Sequence, residues 1–352
     1  MGVRWIFAAL DSVTCIRYCS VSIWITKILR PRAEPQTSVG NRTDGKLLAK
    51  YDWRICPVKF EPLSPQIGAH VIGLDLTAPL SGTEAEALRG ALYRYRVLLF
   101  RQGPISPEEH VRLMNSIGHV VVELASGKPA SYISPVKVDE VLNEGPRNLL
   151  FHSEYMFTRH GPIQALSLYA EACERDEPTL FADMVHASKS LPKELRQRLA
   201  SLEVINCCDF SAEGREYERF RMSLKRPEQP DAEYPGIKQP IFVRHPVTHE
   251  ELVNVSPLFT SHIDGMNDEQ SDAVFAQIYP YQFGASAVRY AHKWQPHDLV
   301  IWDNWALEHG RDAIQCAPGR KLRRVVINPV DIASVMSGID PSSFPITTAQ
   351  AR

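Results

Sequence analysis

The chain has no CxxC pair of cysteines. Its seven cysteines are an odd number, and Cys207 and Cys208 are adjacent. A disulfide framework or a cysteine-based zinc site needs close-paired residues, so this usage points to a reducing compartment with cysteines as small core residues. An excess of one charge is also missing. A formal net charge of -2 and a pI near 6.6 give no electrostatic reason to expect nucleic acid or an anionic membrane surface as partner. There is no internal repeat and no heptad pattern. Long uncharged apolar runs are absent too. The apolar N-terminal stretch is interrupted by Arg4, Asp11, Arg17 and Lys27, and its longest uncharged run is Tyr18 to Thr26. A membrane span needs roughly 18 residues or more, so no membrane crossing is expected there.

What is present suits a soluble chain with a substantial core: 352 residues, 44% hydrophobic and 23% charged. The 26 prolines and 19 glycines imply many turns and favour a β-rich architecture. Three segments are expected: an N-terminal extension over 1–50, a folded domain over 51–330 and a C-terminal tail over 331–352. In residues 1–33 the basic residues Arg4, Arg17, Lys27, Arg30 and Arg32 outnumber the acid Asp11. That bias suits an organelle-targeting presequence; the alternatives are a start assigned too early or a disordered extension. The expected location is cytoplasmic, or organellar if the presequence is genuine.

VKFEPLSPQIGAHVIGLDLTAPL reads as short strands between turn signals. A helix follows in SGTEAEALRGALYRY, capped by Ser81 or Thr83, then a buried strand in RVLLF. ISPEEHVRLMNSIG is a second helix, with Ser106 as cap, Pro107 at its first position and Gly118 as its stop. From Leu149 on, short β-like runs dominate: LLFHSEYMF, IQALSLYAEA, PIFVRHPV, ELVNVSP, DLVIWDN and RRVVINP. Helices interrupt them at ASKSLPKELRQRLASL and NDEQSDAVFAQIY, and residues 211–240 read as an exposed excursion or lid. This pattern predicts a mainly β fold with flanking helices, a sandwich or jelly roll rather than a parallel α/β sheet.

In FHSEYMF, His152 and Glu154 are two residues apart, and on a strand such residues share a face. They could meet at a metal, form a catalytic dyad, or mark a polar strand face. His309, just after the apolar strand of DLVIWDNWALEHGRDA, completes a two-histidine, one-carboxylate triad of the kind that leaves open positions on a ferrous ion. His245 and His249 in RHPVTHE have helical ligand spacing, but Pro246 makes this a hairpin turn, and surface polarity is the expected role. In RKLRRVVI, alternation puts Arg320, Leu322 and Arg324 on one face, and Lys321 and Arg323 on the other. Inward guanidinium groups are costly unless an anion pairs with them, and a dicarboxylate co-substrate answers that need. The alternative is an edge strand with solvated charges.

The run from about Phe60 to Pro329 resembles the taurine dioxygenase/TfdA-type family of Fe(II)- and 2-oxoglutarate-dependent dioxygenases. IGAHVIGLDLTAPLS and YRYRVLLFRQGPISPEEHVRLMNSIG are similar to that family's opening. FHSEYMF stands at its W-H-x-D-x-x-F motif, EPTLFADM at its threonine motif and WDNWALEHGRD at its W-D-N-x-x-x-x-H motif. The arginines fall 11 (320 − 309) and 15 (324 − 309) residues after the second histidine, the family's spacing. The resemblance implies a double-stranded β-helix, with Fe(II), 2-oxoglutarate and O2 as cofactor and co-substrates. By position, His152, Glu154 and His309 would bind iron, Thr179 and Arg320 would hold the distal carboxylate of 2-oxoglutarate, and Arg324 would sit near its metal-bound end and the substrate.

The chain departs from the family in two places. Glu154 replaces the usual aspartate, and because a carboxylate is retained, hydroxylation is favoured over halogenation. On the substrate side Asn148 matches a family asparagine, but Glu123 stands where taurine enzymes have a sulfonate-binding histidine and Ser126 where they have a tyrosine. An acid there would repel a sulfonate, so the expected substrate is a small molecule bearing an amine or hydroxyl that Glu123 can contact, not taurine; a water-facing Glu123 is the alternative. Tyr155, Phe157 and Trp305 are candidates for excluding water. Hydroxylation competes with desaturation or oxidative rearrangement by the same cofactors, with a metal-dependent hydrolase, and with a jelly-roll binding protein. Oligomeric state is left open, with a homo-oligomer among the options.

Overall fold

Strands apolar at every position are the ones that a two-sheet fold can cover on both faces. VLLF and LVIWD are buried throughout in this computed structural model, which describes residues 58–122, 128–134, 141–143, 149–173, 178–207, 236–312 and 320–335. The N-terminal extension and most of the 211–240 excursion lie outside the described residues.

In chain order the elements begin with β1 (Lys59–Pro62), β2 (Ala69–Ile72), α1 (Gly82–Tyr95), β3 (Val97–Phe100) and α2 (Pro107–Ile117). Next come β4 (Ala130–Ser134), β5 (Val141–Asn143), β6 (Leu149–His152), β7 (Ala165–Ala172) and β8 (Thr179–Asp183). α3 (Met184–Ser190), α4 (Lys193–Leu199), β9 (Glu203–Asn206), β10 (Ile237–Pro240), β11 (Phe242–Arg244), β12 (Glu251–Val253) and β13 (Thr260–Ile263) follow. The last are α5 (Asp268–Phe283), β14 (Arg289–His292), β15 (Leu299–Asp303), β16 (Leu307–Arg311), β17 (Lys321–Ile327) and α6 (Ile332–Val335). No helix among the described residues is long and apolar enough to cross a membrane.

Eight strands form a large sheet in the order β1-β2-β3-β15-β7-β17-β4-β5, and four form a smaller one, β14-β8-β16-β6. The two face each other as a jelly roll. Leu168, Val300, Trp302, Leu322 and Val326 of the large sheet meet Phe181 and Leu307 of the small one in one core. On the outer face of the large sheet, Ile301, Val325 and Ile327 pack with Leu88, Leu92, Leu113 and Met114 of α1 and α2 in a second core. Both helices start at reciprocal capping boxes, Ser81 with Glu84 and Ser106 with Glu109, so Ser81 and not Thr83 is the first cap. Gly118 ends α2 in extended conformation. A Cβ there would lie 2.7 Å from Cδ1 of Ile327, the flexible end of a β17 side chain.

Three expectations are corrected. First, β17 is not an edge strand: it pairs with both β7 and β4. Arg323, on its helix-facing side, is buried and donates to Glu171, His110 and the Ile105 carbonyl. Second, the 211–240 excursion ends in a paired strand, because β10 lies antiparallel to β9. Third, RHPVTHE is a hairpin turn between β11 and β12, but His245 is buried and not surface polarity. Its Nε2 donates to both carboxylate oxygens of Asp303 at 3.0 Å, and its Nδ1 accepts from the Val247 and Thr248 amides. The turn folds back over its own imidazole, which spacing alone does not reveal. Past residue 330 the chain continues into α6, where Ile332 joins the inter-sheet core.

Candidate active site

His152 ends β6 and His309 lies on β16, directly opposite each other in the antiparallel ladder. Their rings are 4.3 Å apart, between the two sheets. Glu154 reaches them by a different route from the strand alternation expected of it. β6 stops at His152, the chain turns, and Tyr155 takes a left-handed φ of 63°. Asn304, in the β15–β16 turn, clamps the glutamate backbone there. Its Oδ1 accepts from the Glu154 amide and its Nδ2 donates to the Glu154 and Ile163 carbonyls, each at 3.0 Å. Asp303 in turn accepts from the amides of Trp305 and Ala306 as well as from His245.

One donor atom from each of His152, Glu154 and His309 lies within 4.8 Å of the others. His152 donates its Nδ1 proton to the Leu150 carbonyl at 2.8 Å, leaving Nε2 for an ion. His309 lies against the backbone as well as the ring of His152, and it offers one ring nitrogen to the cluster. Burial, then the neighbouring His152, holds the His309 imidazole well below its ordinary pKa and so neutral. Burial pushes the Glu154 carboxyl up, but Arg324 foremost, and then the histidines, outweigh it and hold it well below the usual range. Arg324 Nη1 donates to Glu154 Oε1 at 2.8 Å. Two neutral imidazoles and one anionic oxygen are the donor set of a ferrous site with open positions, so the residues fit the metal.

Thr179, Arg320 and Arg324 line one cavity with Glu154 and His309, walled by Leu149, Leu168, Trp302 and Leu322. Thr179 Oγ1 accepts from the Trp294 indole at 3.0 Å, leaving its own proton free to be donated. The structure therefore brings together six of the eight site residues anticipated from sequence. Asn148 and Glu123 lie outside the described residues, as does Ser126. Of the aromatic candidates, Phe157 packs on Phe259, whose ring meets His152 edge-on, while Trp305 packs against His245. Tyr155 packs against the inter-sheet core. Asn304 and Arg311, the latter another buried lining residue of the cavity, were not anticipated. A polar residue between two apolar strands was the available signal for the first, and alternation from His309 for the second.

Comparison with known proteins places this geometry. The model of the taurine catabolism dioxygenase TauD, TfdA family matches residues 59–326, and the chain belongs to that family. It is a 2-oxoglutarate-dependent non-haem iron dioxygenase, using Fe(II), 2-oxoglutarate and O2. Among its relatives is pentalenolactone F synthase of Streptomyces avermitilis, 29% identical over 74% of this chain and 90% of that protein. The alpha-ketoglutarate-dependent sulfonate dioxygenase of Saccharomyces cerevisiae is 24% identical over 76% of this chain and 66% of that protein. A crystal structure of a taurine dioxygenase from Burkholderia xenovorans superposes with a TM-score of 0.61 at 22% identity, covering 77% of this chain and 91% of that one. That likeness supports the jelly-roll fold.

Proposed function

We propose that this protein hydroxylates a C–H bond of a small organic molecule, converting 2-oxoglutarate and O2 to succinate and CO2 as one oxygen atom enters the product. The observation that carries the reading is the convergence of His152, Glu154 and His309 with Thr179, Arg320 and Arg324 on one cavity. When bound, Fe(II) with 2-oxoglutarate and O2 supplies the oxidising power for C–H cleavage.

The chain's own residues supply position and charge. His152 and His309 offer neutral nitrogens and Glu154 an anionic oxygen, three ligands that leave half of a six-coordinate site open. Thr179, by its hydroxyl proton, and Arg320 hold the distal carboxylate of 2-oxoglutarate. Arg324 fixes Glu154 and, lining the same cavity, would lie near the metal-facing end of the co-substrate and the substrate. Leu168, Leu322 and Trp302 exclude water from the cavity. On the substrate side, the candidates for contacting the bound molecule are Asn148 and Glu123, by their match to family positions, with Glu123 suited to accept a hydrogen bond from an amine or hydroxyl. Relatives named for small substrates support this reading: a sulfonate for the yeast enzyme, and 2,4-dichlorophenoxyacetate for one from Cupriavidus pinatubonensis.

The test is succinate release from 2-oxoglutarate across a panel of small acids, amines and alcohols, with the product identified by mass. A product one oxygen heavier supports hydroxylation, and one two hydrogens lighter means desaturation. Succinate release that survives His309→Ala at the wild-type rate contradicts the assignment of the metal site. Amine affinity unchanged by Glu123→Gln removes the substrate role of that acid.

A further inference from the structure

Arg311 is a buried cation of the cavity that neither the motif spacing nor the proposed mechanism uses. It is only 5% exposed and lines the same cavity as Thr179 and Arg320. Its place follows from strand register. Along β16, Leu307, His309 and Arg311 share a face, and Leu307 belongs to the inter-sheet core while His309 belongs to the iron site. The ladder to β8 pairs His309 with Phe181 and Gly310 with Leu180. One further step brings Arg311 level with Thr179, the first residue of β8. Side chains opposite one another on adjacent strands have Cβ atoms about 4.5–5.5 Å apart, within easy reach of a shared ligand.

The other side of β16 is built to match. Its ladder to β6 shifts register between His309 and Arg311. Between them, Gly310 passes so close to β6 that a Cβ would lie 2.7 Å from the Leu149 carbonyl oxygen. A bulge and a glycine thus set where Arg311 enters the wall.

Charge points the same way. Among the described residues, Arg311, Arg320 and Arg324 line the cavity together with Glu154, which receives a hydrogen bond from Arg324. Arg311 Nη1 also donates to the Asp312 carbonyl at 3.4 Å. An anion seated beside Arg311 and Arg320 can accept charge-assisted hydrogen bonds from both.

We propose that Arg311 is a second cationic contact for the distal carboxylate of the 2-oxo acid co-substrate, flanking it with Arg320 and Thr179. The site then selects dicarboxylates over 2-oxo acids with an apolar tail. This rests on the oxygenase reading above.

The full chain is loaded anaerobically with Fe(II) and titrated with 2-oxoglutarate, or with 2-oxovalerate, which has no distal carboxylate. The visible charge-transfer band reports binding. Losing a charge-assisted hydrogen bond from Arg311→Gln is expected to weaken 2-oxoglutarate binding about 10–100-fold. Fe(II) affinity and whatever affinity wild type has for 2-oxovalerate should stay within about twofold, since neither needs the arginine. Arg311→Lys, which keeps the charge but not the bidentate fork, should fall between; if Arg311→Gln does not fold, the lysine variant carries the same comparison. Unchanged 2-oxoglutarate affinity overturns the proposal. So does a matching fall in Fe(II) affinity and in the binding of both acids, which would make Arg311 a structural residue. Absence of the band in metal-loaded wild type with 2-oxoglutarate would instead sink the oxygenase reading itself.

Discussion

Glu154 has one methylene more than the aspartate its motif leads one to expect, and the turn after β6 accommodates it. The carboxylate reaches the histidines because Asn304 holds its backbone at both the amide and the carbonyl. Loss of supporting contacts around a metal typically weakens binding about 10–100-fold, so Asn304→Ala should lower Fe(II) affinity by that order in equilibrium titration. An unchanged affinity would show that the turn holds without its clamp. Glu308, next to the metal histidine, faces the other way. It is buried, its Oε2 has no hydrogen-bond partner, and burial raises its pKa well above the usual 4.5. A carboxyl raised in the folded state contributes stability below its unfolded pKa that is lost as pH rises toward the folded value. Glu308→Gln should therefore match wild type near pH 4 and exceed it increasingly at higher pH in denaturant unfolding. A gap that shrinks with rising pH would contradict this.

At the scale of elements, what could be read from sequence is what local chemistry controls. The helices starting after Ser81 and Ser106 follow from capping residues and apolar spacing, and both capping boxes are present. Ser81→Ala and Ser106→Ala should each cost about 1 kcal/mol in urea unfolding, the usual cost of a lost cap. No change in either would mean that the glutamates alone hold the first turns. The inward position of Arg324 was legible because alternation holds from Leu322 to Ile327, while Arg320, just before β17 and across a register shift at Lys321/Leu322, is buried in the same cavity. Glu154 was misplaced because alternation ends where β6 ends, and that end is set by pairing with β16, a partner about 150 residues away. His245 was misjudged for the same reason. Its burial depends on Asp303 from another strand, and nothing within RHPVTHE announces it.

Among the described residues, the two facing sheets, with the smaller β10-β9-β13 and β11-β12 sheets beside them, are held by apolar core and a few buried charges. Arg96, at the left-handed end of α1, makes ion pairs with Asp183, the last residue of β8, and with Glu250 beside β12, tying the helix layer to the small sheet. Between the helix layer and the large sheet, His110 of α2 bonds Ser167 of β7 and accepts from Arg323 of β17. Burial, and then Arg323, hold His110 well below its ordinary 6.5, so the folded protein keeps it neutral while the unfolded chain protonates it. Stability should therefore fall as pH drops below about 6.5, with a contribution near 1.4 kcal/mol per pH unit from each such histidine. His110→Asn should flatten that slope in urea unfolding between pH 6.5 and 5; an unchanged slope would place the effect elsewhere.

The central claim is that two histidines and a glutamate, brought together by a strand pair and a clamped turn, hold iron beside a dicarboxylate site. Anaerobic titration of the protein with Fe(II) and 2-oxoglutarate, following the visible metal-to-ligand charge-transfer band, tests it most directly. The band should form in wild type, vanish in His309→Ala, and need much more 2-oxoglutarate in Arg320→Ala. A folded, metal-loaded wild type that shows no band, or a His309→Ala variant that shows the full one, would contradict it.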